Sequence, residues 1–471
     1  MGLTRQIAEF AAAARTMPLD DDTIALVKTG VVDTMGVILA GRGEAVTTAL
    51  LRFVEPHGAQ PPDASLLLGP GRTSSRNAAL VNAAAGHALD YDDVAFCGHP
   101  SVVMVPALWA EGERLRASGP ALIAAYVVGY EVWASLFFRE SDLLHAKGWH
   151  PTGVLGVVAA TAAVAALRGF SVSQCEVAIG LASGMANGLV AQFGTAAKPF
   201  QAGQAAAQAI DACDLVGCGM TAAVDALEHR AGLLAALSPN GAVDRSPEPR
   251  PFGEVLRLRT LRLSTKNYPM CFATHRVVDA TIAIAKRHDV AAHDVARVVV
   301  HIGRAQAEML RNPRPTTGVE AKFSIEFAVA AALVARSIGL AQVDDAFVRS
   351  PAVQALIPKV EVVVRDTRRE DQPALAASDR VVVTLHDGRA FDSGEVVFAR
   401  GDAFLPMTTV DLRRKFDDCA RAIEPTRASA LFAALVDLEA VDDLRTLIVE
   451  PPVESARSTT RRHDSPAVAM G

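Results

Sequence analysis

A chain of 471 residues is too long for one ordinary hydrophobic core, so two domains are expected. Hydrophobic residues make up 50% and charged residues 21%, which excludes an intrinsically disordered chain. A net charge of -6 without any basic run argues against nucleic acid as a partner, although a local cluster of cations can still bind a small anion.

The six cysteines (Cys97, Cys175, Cys213, Cys218, Cys271 and Cys419) are scattered and form no C-x-x-C pair. That usage fits reduced thiols and a cytoplasmic protein. The N-terminus opens a helical pattern rather than a signal peptide.

In chain order, residues 1–265 read as almost entirely helical. Asp20, Asp21, Asp22 and Thr23 offer N-caps ahead of an apolar run that Gly41 stops. Further helices are expected near 73–88, 102–117, 120–146, 152–168 and 173–193. No formal charge occurs over 148–167 or 177–197, and both runs are long enough to span a bilayer. They are rich in Ala and Gly rather than Leu, and they contain His150, Pro151, Asn187 and Gln192. Buried core helices are the better reading, with no membrane partner.

The texture changes after Pro247-Glu248-Pro249-Arg250-Pro251. Leu256-Arg257-Leu258-Arg259 alternates at period two and predicts a strand with one wet face. The runs 296–302, 359–365 and 380–385 predict further strands, and Asp387-Gly388 predicts a hairpin turn. Helices near 275–288 and 320–338 separate them. The expected fold is mainly α: a large all-helical domain of residues 1–265 and 401–455, with an inserted α+β lid domain of residues 266–400. Residues 456–471 are polar and are expected to be a disordered tail. The cleft between the domains is the expected ligand site.

Five clusters carry candidate chemistry. They are His87-Ala88-Leu89-Asp90-Tyr91-Asp92-Asp93, Gly98-His99-Pro100-Ser101, Gly148-Trp149-His150-Pro151-Thr152-Gly153, Phe193 to Gly203 around Lys198, and Lys266 to Arg276 with Tyr268 and His275. Most set a polar residue beside a Gly or Pro that breaks an apolar helix, and helix starts attract anions. Histidine supplies general acid and base at neutral pH, and Lys198 a fixed charge for a carboxylate or an enolate. Singly, each cluster also fits an ordinary turn or cap: Asp90, Asp92 and Asp93 a solvated helix end, Lys198 a surface lysine. No H-E-x-x-H, Cys/His cluster or phosphate-binding glycine loop occurs, so neither a metal nor an organic cofactor is expected.

Together, and in this order, the five clusters resemble the MmgE/PrpD family, as do Ala321-Lys322-Phe323-Ser324 and the later Gly401 to Thr408 and Lys415-Phe416. The resemblance covers about residues 1–440. It implies a helical domain with an α+β lid, usually a homodimer, acting on a small di- or tricarboxylic acid without a cofactor. The implied reaction is that of a lyase of the 2-methylcitrate dehydratase type, through carbanion or enediolate chemistry. A decarboxylase of cis-aconitate, an epimerase of iminodisuccinate and an inactive binding protein on the same fold are the alternatives. Asp90, His99, His150, Lys198 and His275 are the implied catalytic residues. His99 or His150 moves the proton, Asp90 orients a histidine, and Lys198, Lys266, Tyr268 and His275 bind substrate. Three positions depart from the family pattern. Gln201 stands where a histidine is often found, Val94 where a decarboxylase-like member carries threonine, and Phe327 where tyrosine is common.

Overall fold

In the computed structural model, which describes residues 1–55, 62–67, 71–369 and 375–447, the chain builds two large buried apolar clusters and a small third one of Val37, Leu89, Tyr91 and Cys419. The largest draws on residues between Leu3 and Leu263 and again between Leu412 and Leu444. The second draws only on residues between Tyr268 and Leu385. The chain therefore leaves the helical core once, builds an α+β unit, and returns. The expected tail of residues 456–471 lies outside the described residues.

The helical half is mainly α and packs through small side chains. Ser74 caps the helix Ser75–His87 by accepting the Asn77 N–H, and every residue of that helix except Arg76 is buried. It crosses the helix Ala197–Gly217 so closely that a Cβ at Gly203 would lie 2.4 Å from the Leu80 carbonyl oxygen. Three helices (Asp21–Gly43, Gly119–Phe137 and Pro151–Arg168) are long and apolar enough to cross a membrane, by length and composition. Of their most apolar stretches 67%, 83% and 94% respectively is buried inside the fold, so other parts of the chain already cover most of that surface.

The expected helix over 173–193 stops at Met185. Asn187 and Gly188, with Gly188 at φ 128°, turn the chain so that Leu189 pairs with Trp149. The uncharged run 177–197 is thus a helix, a turn and a short 3-10 segment (Val190–Gln192).

The strand expected at Leu256–Arg259 is a short helix, Arg257–Leu261. Glu131 accepts the Leu258 N–H at 2.9 Å, and Leu258 faces the helical core. Four residues of period-two alternation also place Leu258 and Leu261 one helical turn apart, and the buried carboxylate at the N-terminus decides between the two.

The α+β unit holds a four-stranded sheet in the order Val360–Arg365, Val295–Gly303, Arg380–Leu385, Ala390–Asp392. The first pair is parallel and the others antiparallel. Helices fill the crossover between the parallel strands, as such a connection requires. Val298, Val300 and Ile302 alternate inward with Val381, Val383 and Leu385. Gly388 at φ 87° closes the expected hairpin.

Candidate active site

Helix starts from both halves converge on one seam. His99 and His150 are each the N-cap of an apolar helix with proline at its first position. Proline cannot donate there and holds the preceding residue extended, so both imidazoles sit at fixed helix entries. Lys198 is in the first turn of Ala197–Gly217, and His275 opens His275–Arg287. Asp90 follows the helix Ser75–His87 with a φ of 53°, a left-handed conformation that aspartate tolerates better than most residues.

The Asp90 loop is pinned from below by the returning C-terminal segment. Lys415 donates to the Tyr91 carbonyl at 2.7 Å, pairs with buried Asp33 at 2.5 Å and lies 4.0 Å from the Tyr91 ring centroid. Asp93 is turned into the core, where the Ser101 hydroxyl donates to it. Burial, with Asp33 and Asp92 nearby, raises its carboxyl well above the usual range.

A cavity of about 90 Å³ lies at the seam, lined among others by Asp90, Val94, His99, His145, His150 and Lys198 from the helical half, and by Lys266, Cys271 and Phe323. Lys198 Nζ donates to Asp90 Oδ1 at 2.6 Å; Lys266 Nζ lies 3.1 Å from Asp90 Oδ2 and donates to the Asp90 carbonyl at 2.7 Å. Burial alone would raise the Asp90 carboxyl, but the two ammonium groups hold it below its ordinary range. Two ammonium groups therefore meet at one carboxylate. Phe193 and Phe323 flank Lys198 Nζ, at 5.1 and 5.7 Å from their ring centroids.

The histidines are oriented through Nδ1. His150 donates from Nδ1 to Gln201 Oε1 at 2.7 Å, and Gln201 in turn donates to the Leu189 carbonyl at 3.3 Å. Glutamine at 201 therefore holds His150 and its tautomer. Burial pushes the His150 imidazole well below its ordinary value and leaves it neutral. His99 Nδ1 lies 3.0 Å from Asp92 Oδ2 and 2.9 Å from the Asp93 carbonyl; its Nε2 lies 4.0 Å from Asp90 Oδ1.

His87 and Asp92 were not singled out as site residues by the sequence reading, yet both complete the site. His87 Nδ1 lies 2.9 Å from Asp92 Oδ2, and the His87 ring meets His99 edge-on at 4.5 Å and stacks on His150 at 5.7 Å. Burial lowers His87 to about 4. One carboxylate, Asp92, thus orders two imidazoles, which hold it well below the usual carboxylate range against its burial. His145 also lines the cavity, and burial pushes it down to about 4. A signal was present: Asp90 and Asp92, two apart in an irregular segment flanked by apolar residues, can face one side. Among the described residues, His87, Asp92 and His99 are the group of three that could hold a metal, with ligand atoms within 4.8 Å of one another. Their geometry equally fits an ordered pair of imidazoles, because Asp92 accepts from His87 and lies 3.0 Å from His99 Nδ1.

Asp90, His99, His150, Lys198 and Lys266 thus meet at one cavity. His275 and Tyr268 do not line it. His275 is fully buried between the rings of Tyr268 and Phe272, donates from Nε2 to the Met270 carbonyl at 3.3 Å, and is pushed by burial to about 3. A neutral imidazole behind the wall cannot pair with a carboxylate as expected. Tyr268 donates to Asp279 and faces a separate cleft of about 860 Å³. The solvated end expected by default for Asp90, Asp92 and Asp93 is likewise absent, since all three are buried.

Residues 5–246 match the MmgE/PrpD N-terminal domain and residues 268–438 the MmgE/PrpD C-terminal domain. The chain belongs to the MmgE/PrpD family. It is similar to cis-aconitate decarboxylase of Mus musculus, 26% identical over 97% of this chain and 95% of that protein. The enzyme of the same name from Homo sapiens is 28% identical over 82% of each chain, and that from Aspergillus terreus is 25% identical over 96% of this chain and 97% of its own length. This family member is an enzyme of the lyase class, and its substrate is a small carboxylic acid.

Proposed function

We propose that this lyase decarboxylates an unsaturated tricarboxylic acid of the cis-aconitate type, in the cytosol and as a homodimer. One observation carries the reading: Lys198 and Lys266 share the carboxylate of Asp90 at a cavity that His99 and His150 also line. Two ammonium groups at its wall suit a polyanion, and the relatives are decarboxylases of this acid. The bond between the departing carboxylate and its methylene carbon breaks and CO2 leaves. Its electron pair moves through the allylic system to the carbon beside another carboxylate, and a proton is added there. Lys198 and Lys266 stabilise the dienolate charge that develops on that carboxylate. His99 delivers the proton from Nε2, its other nitrogen being held by the Asp93 carbonyl. His150, neutral and fixed by Gln201, accepts a hydrogen bond at Nε2 without carrying charge. Reduced cysteines support the cytosolic placement: among the described residues none of the six forms a disulfide.

Val94 favours a second reading. An apolar side chain lines the cavity where a decarboxylase-like member carries threonine, and it would sit comfortably against the methyl group of a 2-methylcitrate-type acid. The same site would then act as a hydro-lyase, with the cations stabilising the carbanion beside a carboxylate. Incubation with cis-aconitate in deuterated water, followed by NMR, separates the two. Decarboxylation releases CO2 and leaves one deuterium on the newly protonated carbon. Water addition without CO2, or turnover of 2-methylcitrate alone, overturns the decarboxylase reading.

A further inference from the structure

Lys322 is a charged side chain for which the fold provides no partner. It is 6% exposed, and among the described residues its ammonium has no hydrogen bond or ion pair. A largely covered lysine side chain without a partner is costly. Its backbone places it beside the cavity. Glu44, Asp90, Lys198 and Lys266 act on it electrostatically, and burial lowers its affinity for a proton. Its carbonyl accepts the N–H of Cys271, and Cys271 and Phe323, the next residue along, both line the cavity. Phe323 also packs under Lys198 Nζ.

The segment is rigid on both sides. Thr317 and Glu320 form a reciprocal cap on the helix Gly318–Ala321, and Ser324 caps Ile325–Ala335. A Cβ at Gly318 would stand 2.0 Å from the Val343 carbonyl oxygen, so the helix start cannot shift without a clash. The lysine is therefore placed before any ligand arrives. Lys198 and Lys266 already occupy the Asp90 carboxylate, and Glu44 lies beyond ion-pair distance of Lys322.

Resting on the proposed polycarboxylate chemistry, we infer that Lys322 is a specificity residue, contributed by the α+β domain, that binds one carboxylate of the substrate and makes the enzyme select acids by their number of carboxylates. Its negative partner arrives with the ligand, which neutralises the buried charge and ties the two domains together across the seam.

The probes are tricarballylate, a saturated tricarboxylate that cannot react, and two acids lacking one of its carboxylates, glutarate and methylsuccinate. Calorimetric titration compares the wild type with Lys322→Met, which keeps the length and removes the charge. Losing one charged hydrogen bond should weaken tricarballylate binding about tenfold or more. Affinity for at least one of the two dicarboxylates should stay the same, because that acid lacks the carboxylate that Lys322 binds. The ligand-free variant should melt at the wild-type temperature or above it, since a buried unpaired charge has gone. A lower melting temperature, an equal loss for all three acids, or no loss for tricarballylate overturns the assignment. If the wild type itself binds no tricarballylate, the polycarboxylate reading falls, and this inference with it.

Discussion

Lys198 and Asp90 are 108 positions apart, and the 2.6 Å contact between them sets the charge of the cavity. Lys198→Ala should lower kcat by about a hundredfold or more, the scale for losing one electrostatic stabiliser, with the melting temperature near wild type; normal turnover would reduce Lys198 to a structural partner of Asp90. The histidines should separate cleanly. His99→Gln is expected to abolish deuterium incorporation while ligand binding persists, because His99 delivers the proton. His150→Gln should slow turnover without abolishing the label. Equal labelling by both variants would place the proton carrier elsewhere. The buried histidines also tie stability to pH. Burial lowers His275 to about 3, against 6.5 for the ordinary side chain. Below pH 6.5 the unfolded chain takes up a proton that the folded chain refuses, so this histidine withdraws stability as pH falls towards 3. Buried carboxyls such as Asp93 and Asp379 are raised and act in the opposite sense, so only a difference is diagnostic. His275→Asn should flatten the fall in melting temperature between pH 6.5 and 4 relative to wild type. An unchanged slope would mean that His275 is not held neutral.

At the scale of helices, the site is an intersection of N-termini. The entries at His99 and His150 were legible because His-Pro before an apolar run marks a helix start through two local constraints, the missing donor and the extended residue before proline. Asp20 is a legible cap for the same local reason. What depends on a neighbour was not legible. The end of one helix at Met185 follows from pairing of Leu189 with Trp149, and the helix at Arg257–Leu261 follows from a carboxylate 127 positions away. Asp92 and His87 escaped because their role is to orient two rings, a relation that exists only once the helices have met. One crossing controls that meeting. The helices Ser75–His87 and Ala197–Gly217 end near Asp90 and begin near Lys198, and they touch at Gly203. Gly203→Val would force a side chain into the Leu80 carbonyl, separating the helices at a cost of about 1–3 kcal/mol. The expected result is a lower melting temperature together with a lower kcat, measured by calorimetry and initial rates. Gly184→Ala is the control: nothing lies within 4 Å of its added Cβ, so stability should hold or rise. Equal behaviour of the two variants would mean that the crossing is not tight.

The whole molecule joins two cores across a seam whose lysines oppose its net charge of -6. The division into helical and α+β parts was legible because hydrophobic period changes between them; how the two parts face each other was not, since no periodicity encodes a docking angle. His87, Asp92 and His99 make metal dependence a direct question. With Asp92 already accepting from His87 and His99 Nδ1 bonded to the Asp93 carbonyl, dialysis against a strong chelator should leave activity intact, and restoration of lost activity by one divalent ion would assign the trio to a metal. Oligomeric state is the remaining expectation at this scale. Leu189 is 48% and Phe200 37% exposed, and Gln201, next to Phe200 in the chain, donates to the Leu189 carbonyl. Both flank residues that line or order the cavity: Lys198 lies two positions before Phe200, and Gln201 holds His150. Large apolar side chains exposed beside an active site suit a self-complementary contact, and twofold pairing is the usual way to cover such a surface. Sedimentation velocity at micromolar protein should therefore show a homodimer. Phe200→Glu should shift it to a monomer with unchanged helical circular dichroism and reduced turnover, because Lys198 and Gln201 would lose support from the partner. A wild-type monomer removes the dimer altogether, whereas a Phe200→Glu dimer with full activity moves the contact to another face of the helical half.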